Sequence, residues 1–135
     1  KRLDANTQKR VTVENDDKGS MWSTKHLFDY IHSDIGIPIV FDYHHYKFCT
    51  GGQTEQEALE LAMSTWPAGV TPVVHYSQSR AEEHNDPKIR PQAHSDSYWA
   101  APNLYGHDLY VMCECKHKEQ GVFALLELMK NKAVA

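Results

Sequence analysis

The sequence predicts an α/β fold built from four repeated strand–helix units. Two observations support this prediction: strand-like runs alternate with helix-like segments along the chain, and the strand-like runs are apolar at nearly every position. Such alternation is typical of βαβ units with a parallel sheet, and near-continuous apolar strands are typical of a sheet covered on both faces. Four units amount to half of a (β/α)₈ barrel, which has about 250 residues. A small doubly wound sheet would fit the same pattern.

Four segments have the composition of β-strands. Each is short and rich in Val, Ile, Tyr or Phe, which favour strands. The predicted strands comprise residues 10–15, 37–43, 71–77 and 107–115. Side chains alternate across a strand, so the parity that turns Glu14 toward the barrel axis turns Val13 toward the helices. The same parity lets three further polar side chains face the axis: Asp42, His75 and Glu114.

Helix-like segments lie between and after these strands. Four are predicted, over residues 20–35, 54–66, 95–102 and 119–131, and the third of them is short. The first and last place apolar residues at helical spacing along one face. In the second, Thr54 and Glu57 have the spacing of a capping box, which marks a helix start.

The composition is that of a globular domain, and 135 residues are enough to bury a core. The net charge of −4 gives no overall basic field, so any DNA contact must come from a local patch or from bound cations. The three cysteines form no CxxC motif and are interpreted as reduced thiols of an intracellular protein. No signal peptide or transmembrane run is recognised, so no membrane partner is expected.

Polar residues cluster where each predicted strand ends. The four ends carry carboxylates and imidazoles: Glu14, Asp42 with His45, His75, and Glu114. The carboxyl ends of parallel strands form the rim where α/β folds place their sites, so this coincidence predicts one shared site. Taken alone, the acidic run 14–17 is more often a solvated capping loop, and the pair His44–His45 is more often exposed.

The residue types of this rim favour a metal site. Carboxylates and imidazoles without thiolates suit Mn²⁺, Zn²⁺ or Fe²⁺. Two or more such ions can stabilise the attacking and leaving oxygens of a phosphodiester. Metal coordination would also explain why a buried strand, residues 38–42, runs directly into an acid and two imidazoles that are costly to bury unpaired.

Five ordered blocks of sequence carry a family resemblance. They are VTVENDDKG, GIPIVFDYHHY, VVHYSQS, IRPQAHSDSY and MCECKHKEQGVFAL. Over residues 9–130 the chain resembles the C-terminal half of UV damage endonucleases, a family of the xylose-isomerase-like barrel superfamily. The resemblance implies a single partial domain over residues 1–135, the C-terminal half of a (β/α)₈ barrel. It implies incision of UV-damaged double-stranded DNA immediately 5′ of a photolesion, followed by excision repair.

The resemblance also implies a cluster of divalent ions, usually manganese, with zinc or magnesium as alternatives. Carried over position by position, the ligands would be Glu14, Asp42, His45, His75, His94 and Glu114. Through these metals the same six residues would be the catalytic ones. His94 enters only through the resemblance, because a histidine in a polar loop is usually just exposed.

Two departures from the family pattern affect this expectation. Related sequences often carry a lysine two residues before the third-strand histidine, and that lysine, when carboxylated, can bridge two metals. Val73 stands at this position and cannot bridge. The N-terminal half of the family's barrel is also missing, and it is expected as the partner that supplies further ligands and lesion-reading surface. Unpaired strand edges and exposed apolar surface then predict that the chain associates.

Several side chains beside the proposed ligands are candidates for phosphate contacts. These basic residues are Lys88, Arg90, Lys116 and Lys118. The alternative for each is a solvated loop charge. Two other functions fit the same residues: a metal-dependent sugar isomerase or epimerase on the same barrel, with a narrow aromatic pocket, and a catalytically inactive metal-binding remnant.

Overall fold

The sheet of this protein contains four parallel strands. A computed structural model describes residues 2–134 and the side chains of residues 2–132. The strands are β1 (Val13–Glu14), β2 (Ile39–Asp42), β3 (Val73–Tyr76) and β4 (Tyr110–Cys113), and they lie in the order β1-β2-β3-β4. Asp42 pairs with His75 and His75 pairs with Met112, so the ends of the strands meet at one edge. The predicted α/β fold with four parallel βα units is confirmed, although the strands are shorter than their apolar runs.

Seven α-helical segments connect and flank the strands in the described part of the chain. They are α1 (Ala5–Gln8), α2 (Thr24–Leu27), α3 (Ser33–Ile35), α4 (Tyr43–Tyr46), α5 (Glu55–Met63), α6 (Arg80–His84) and α7 (Glu119–Val134). A π-helical turn, Phe28–His32, joins α2 to α3, so the helix predicted over 20–35 contains a local change in winding. The predicted capping box at the start of α5 is present, because Thr54 and Glu57 bond each other's backbone N–H. Among the described residues, no helix is long and apolar enough to cross a membrane.

The predicted short helix over 95–102 is wrong. A helix over this range would bond the N–H of Trp99 to the carbonyl of Ser95, but that N–H donates to Gln78 and that carbonyl accepts from Lys116. The N–H groups of Asp96 and Ser97, which would have no partner inside such a helix, donate to Glu83. The segment is therefore an extended loop held by α6 and the end of β3. Two short helices, α4 and α6, stand where the sequence pattern gave no helix.

The apolar core lies on one face of the sheet. Ile39, Phe41 and Val74 point toward the helices and are almost fully buried against residues of α5 and α7. The opposite face carries the alternate side chains and is uncovered at β4, where Tyr110 is 67% exposed and Met112 is 53% exposed. Side chains thus alternate between the two faces of the sheet as expected from the sequence. The polar side chains at the strand ends lie on the face that would line a barrel.

Candidate metal centre

Three of the strand ends deliver acid and imidazole groups to one point. Glu14 lies at the end of β1, Asp42 at the end of β2 and His75 within β3. Each offers one donor atom, and these three atoms lie within 4.8 Å of one another. A spacing of this size is suitable for a shared cation, since each ligand atom sits about 2.0–2.6 Å from a bound metal.

Glu114, directly after β4, extends the group on the far side of His75. Nδ1 of His75 lies 3.2 Å from Oε2 of Glu14 and 3.3 Å from Oε1 of Glu114. Neither contact is aligned as a hydrogen bond, and this buried nitrogen has no other partner among residues 2–134. The imidazole therefore stands between two carboxylates that belong to opposite edges of the sheet.

His45 reaches the site because β2 turns at once into a helix. Oδ1 of Asp42 caps that helix by accepting hydrogen bonds from the backbone N–H groups of His44, at 2.7 Å, and His45, at 2.8 Å. The tight turn brings Nδ1 of His45 to 3.2 Å from Oε1 of Glu14 and lets it donate to the carbonyl of Asn15 at 2.8 Å. One oxygen of Asp42 thus builds the turn that positions the neighbouring imidazole.

His94 arrives from a loop rather than from a strand. Its neighbours bond to the segment after β3: the N–H of Arg80 donates to Ala93, and the N–H of Ser95 donates to Gln78, each at 2.8 Å. On the other side, the N–H of Lys116 donates to Ser95 at 2.9 Å. Nδ1 of His94 consequently lies 3.4 Å from Oε2 of Glu114.

Asp42 retains one carboxylate oxygen without a partner. The residue is fully buried, and Oδ2 accepts no hydrogen bond from any group in the described part of the chain. The pKa of this carboxyl is raised to about 6, mainly by burial and also by the nearby Glu14 charge, against the opposing effect of His45. An orphaned buried oxygen is costly, and a bound cation is the partner that would satisfy it.

Glu14 forms ion pairs with His45 and His75. Burial alone would raise the pKa of Glu14, but interactions with His45 and His75 lower it well below its usual range. Burial lowers the pKa of His45, yet its close contact with Glu14 and the charge of Asp42 outweigh this and raise the pKa to about 9. Contact with Glu14 likewise raises the pKa of His75. Since a cation must displace these protons, metal affinity is expected to rise with pH.

The structure brings together all six residues singled out as ligands. The donor set is three carboxylates and three imidazoles, which fits Mn²⁺ or Zn²⁺ without thiolates. Cys113 does not join this set, because it packs against the apolar core and burial raises the pKa of its thiol. That these residues bind metal remains a prediction.

The four basic residues separate into two groups. Lys116 and Lys118 line a cleft of about 330 Å³ together with His94 and Glu114. Lys88 and Arg90 are exposed in the loop after α6 and do not line this cleft. The first pair thus lies beside the site, while phosphate contacts of all four basic residues stay a prediction.

Sequence reasoning gave no role to two buried residues of this rim. Asn15 fastens β1 to β2, since its side-chain amide donates to the carbonyl of Asp42 at 3.1 Å and its oxygen accepts the N–H of Asp42 at 2.9 Å. His44 is fully buried, with its ring edge-on to that of His94 at a centroid distance of 5.9 Å. The buried strand run before Asp42 was the one signal that this HH pair is not exposed.

Comparison with known proteins agrees with this picture. The family model described as UV-endonuclease UvdE matches residues 1–135. A UV DNA damage endonuclease of Bacillus cereus (strain G9842) is 31% identical over 94% of this chain, and one of Bacillus pumilus (strain SAFR-032) is 33% identical over 94%. The chain spans 40% of the length of each of these relatives.

A solved structure gives the same result for the fold. The crystal structure of SacUVDE superposes with a TM-score of 0.77 at 26% identity, over 98% of this chain and 43% of that one. The predicted half of a (β/α)₈ barrel is thereby confirmed. From the match along its whole length and the shared fold, the chain belongs to the UV-endonuclease UvdE family.

Proposed function

We propose that this chain is the C-terminal half-barrel of a metal-dependent endonuclease that incises UV-damaged double-stranded DNA on the 5′ side of the lesion. The observation that carries the proposal is the convergence of Glu14, Asp42 and His75, whose donor atoms lie within 4.8 Å of one another. The family and the names of its relatives supply the substrate class. A repair enzyme of this kind acts inside the cell, where the DNA is.

The residues of the rim would hold the ions and orient the substrate. The six carboxylates and imidazoles are the proposed ligands, with manganese as the first choice. Divalent ions held here would supply positive charge to the scissile phosphodiester and lower the pKa of an attacking water. Lys116 and Lys118 would contact a backbone phosphate in the cleft they share with Glu114.

The geometry also weighs against the sugar isomerase alternative. Such an enzyme is expected to enclose its substrate in a narrow pocket with aromatic walls. The cleft beside Glu114 is lined by lysines, cysteines, an acid and a histidine, and among the described side chains no ring of Phe, Tyr or Trp contributes to it. A positively charged cleft next to carboxylates suits a phosphodiester better than a neutral sugar.

Replacing Glu114 tests the proposed role of the site. The test uses a barrel completed with the N-terminal segment of the Bacillus cereus relative. In it, Glu114→Gln is expected to reduce Mn²⁺-dependent nicking of irradiated duplex by more than about 100-fold. This loss is larger than that usually caused by replacing a residue that only hydrogen-bonds to a metal ligand. Glu119→Gln, at the exposed start of α7, is the matched control and should nick normally. Equal nicking in Mn²⁺ and in chelator, or full activity of Glu114→Gln, would refute the proposal.

Val73 offers a second test, based on the family pattern. Val73 lies on the same face of β3 as His75 and pairs with Tyr110. In a barrel that contains both halves, Val73→Lys is expected to raise Mn²⁺ retention or nicking, because an amine there can become a bridging ligand. Val73→Met has similar length without the amine and should have no such effect. Unchanged metal stoichiometry and rate in Val73→Lys would show that this position is not a lost ligand.

A further inference from the structure

The loop that carries His94 is fixed at a second point, two residues further along. Glu83 projects from α6, and both of its carboxylate oxygens accept backbone hydrogen bonds from this loop. Oε2 accepts from Asp96 at 2.6 Å, and Oε1 accepts from Ser97 at 3.0 Å. Hydrogen bonds to a charged acceptor are about twice as strong as neutral ones, and the bidentate arrangement also sets direction.

Glu83 also belongs to a group that resembles a second metal site. Glu83, His84 and Asp96 offer donor atoms within 4.8 Å of one another. However, the oxygens of Glu83 are already occupied by backbone N–H groups. The carboxylate of Asp96 is paired with His84 at 2.7 Å and lies 3.3 Å from Nε of Arg80. These partners satisfy both acids, so the group holds the loop against α6 rather than a cation.

The position of His94 depends on this attachment. His94 lies outside the named strands and pairs only through an isolated bridge to Ser79. Its Nδ1 must nevertheless stay near Oε2 of Glu114, which is 3.4 Å away. The N–H of His117 donates to Asp96 at 2.9 Å, so the residue pinned by Glu83 also links the loop to the segment after β4.

We infer that Glu83 is a positioning residue, whose carboxylate fixes residues 93–97 so that the imidazole of His94 meets Glu114 at the metal centre. This inference rests on the proposed function, because it gives His94 the role of a ligand. Glu83 itself does not touch the ions or the substrate. Its contribution is to hold one ligand in the geometry that a functional site needs, within about 0.5 Å.

Glu83→Gln keeps the size of the side chain and removes one acceptor. The new amide nitrogen would face an N–H donor, so one of the two backbone bonds is lost. We expect the Kd for Mn²⁺, measured by isothermal titration calorimetry on the barrel completed with the N-terminal segment of the Bacillus cereus relative, to rise about 10-fold, as is typical for loss of an outer partner. Glu82→Gln changes the neighbouring exposed acid, whose contact with Lys47 is 4.0 Å, and should leave the Kd unchanged.

A double-mutant cycle separates positioning from a general effect on folding. If Glu83 acts through His94, Glu83→Gln should weaken Mn²⁺ binding no further in a His94→Ala background. A full additional 10-fold loss in that background would overturn the inference. An unchanged Kd in the single variant would overturn it as well.

Hydrogen exchange provides a readout that needs no metal. At least one of the two amides of Asp96 and Ser97 should exchange at least 10-fold faster in Glu83→Gln, while the amides of α5 stay protected. If the completed barrel without substitutions binds no Mn²⁺, the proposed function fails, but faster exchange would still support the anchoring role of Glu83. Unchanged exchange at both amides would refute that role whatever the metal result.

Discussion

The 135-residue chain alone is expected to self-associate and to leave irradiated DNA intact. Its sheet has two open edges within residues 2–134, because β1 pairs only with β2 and β4 pairs only with β3. Unpaired strand edges readily add another chain. Its behaviour in solution should therefore be that of a dimer, an aggregate or a loosely packed species.

The inner face of the sheet gives a second reason for association. Tyr110 and Met112 are more than half exposed, and Val73 stands beside Tyr110 on the same face. Apolar side chains at these positions of a closed barrel would be covered by strands from the other half. The candidate metal centre lies on the same face, since His75 shares the parity of Val73, and a completed barrel is expected to add further ligands there.

Supplying the N-terminal half should prevent self-association and allow nicking of irradiated DNA. With the corresponding segment of the Bacillus cereus relative and Mn²⁺, we expect a particle of defined mass that nicks irradiated duplex. The decisive measurements are light scattering and a nicking assay, made on the chain with and without that segment. Unirradiated duplex is the control for damage specificity. A monodisperse monomer that cuts 5′ of photolesions unaided would contradict this expectation.

The parts of the site that were predictable from sequence are those fixed by local geometry. Alternation along a strand is enough to place Glu14, Asp42 and His75 on one face, and parallel strands bring their ends together. The capping box of α5 is equally local, since Thr54 and Glu57 are only one turn apart. Strand alternation and the capping box each depend on residues a few positions apart. They are therefore found in the folded chain as predicted, because no distant partner competes for the same groups.

The loop after β3 was not predictable, since its structure is decided by distant partners. Residues 95–102 have a composition compatible with a helix, but Gln78 accepts the N–H of Trp99 and Lys116 donates to the carbonyl of Ser95, the two groups that such a helix would join. His94 is also positioned by long-range hydrogen bonds of its neighbours Ala93 and Ser95. Without the family resemblance, the sequence gave no indication of its role. The buried position of His44 likewise depends on the loop that folds over it.

Asp42→Asn is expected to abolish metal binding while stabilising the metal-free protein. The carboxyl is fully buried, and burial raises its pKa to about 6 from an ordinary value of 3.8. A raised pKa means that folding favours the protonated form. The benefit of that form is present in full below pH 3.8 and is lost as the pH rises through about 6. At pH 8 the ionised Asp42 therefore costs about 1–3 kcal/mol, which the neutral amide avoids.

The amide also preserves the local structure that Asp42 supports. Asparagine caps helices as well as aspartate does, so its oxygen can still accept the N–H groups of His44 and His45. The amide nitrogen takes the place of Oδ2, which has no hydrogen-bond partner in the described residues. The substitution therefore breaks no existing hydrogen bond. The change thus removes a proposed metal ligand without removing the turn.

Thermal unfolding of the completed barrel in chelator distinguishes this expectation from simple damage to the fold. Asp42→Asn should unfold at a higher temperature than the unmodified protein at pH 8, and the difference should disappear at pH 4, where Asp42 is itself neutral. Asp34→Asn, in the exposed helix α3, is the matched control and should show neither effect. Calorimetric titration with Mn²⁺ should show the opposite order, with binding lost in Asp42→Asn alone. The expectation is that the buried charge of Asp42 lowers stability and is needed to bind a cation. An Asp42→Asn variant that is less stable at pH 8, or that binds Mn²⁺ as tightly as before, would contradict it.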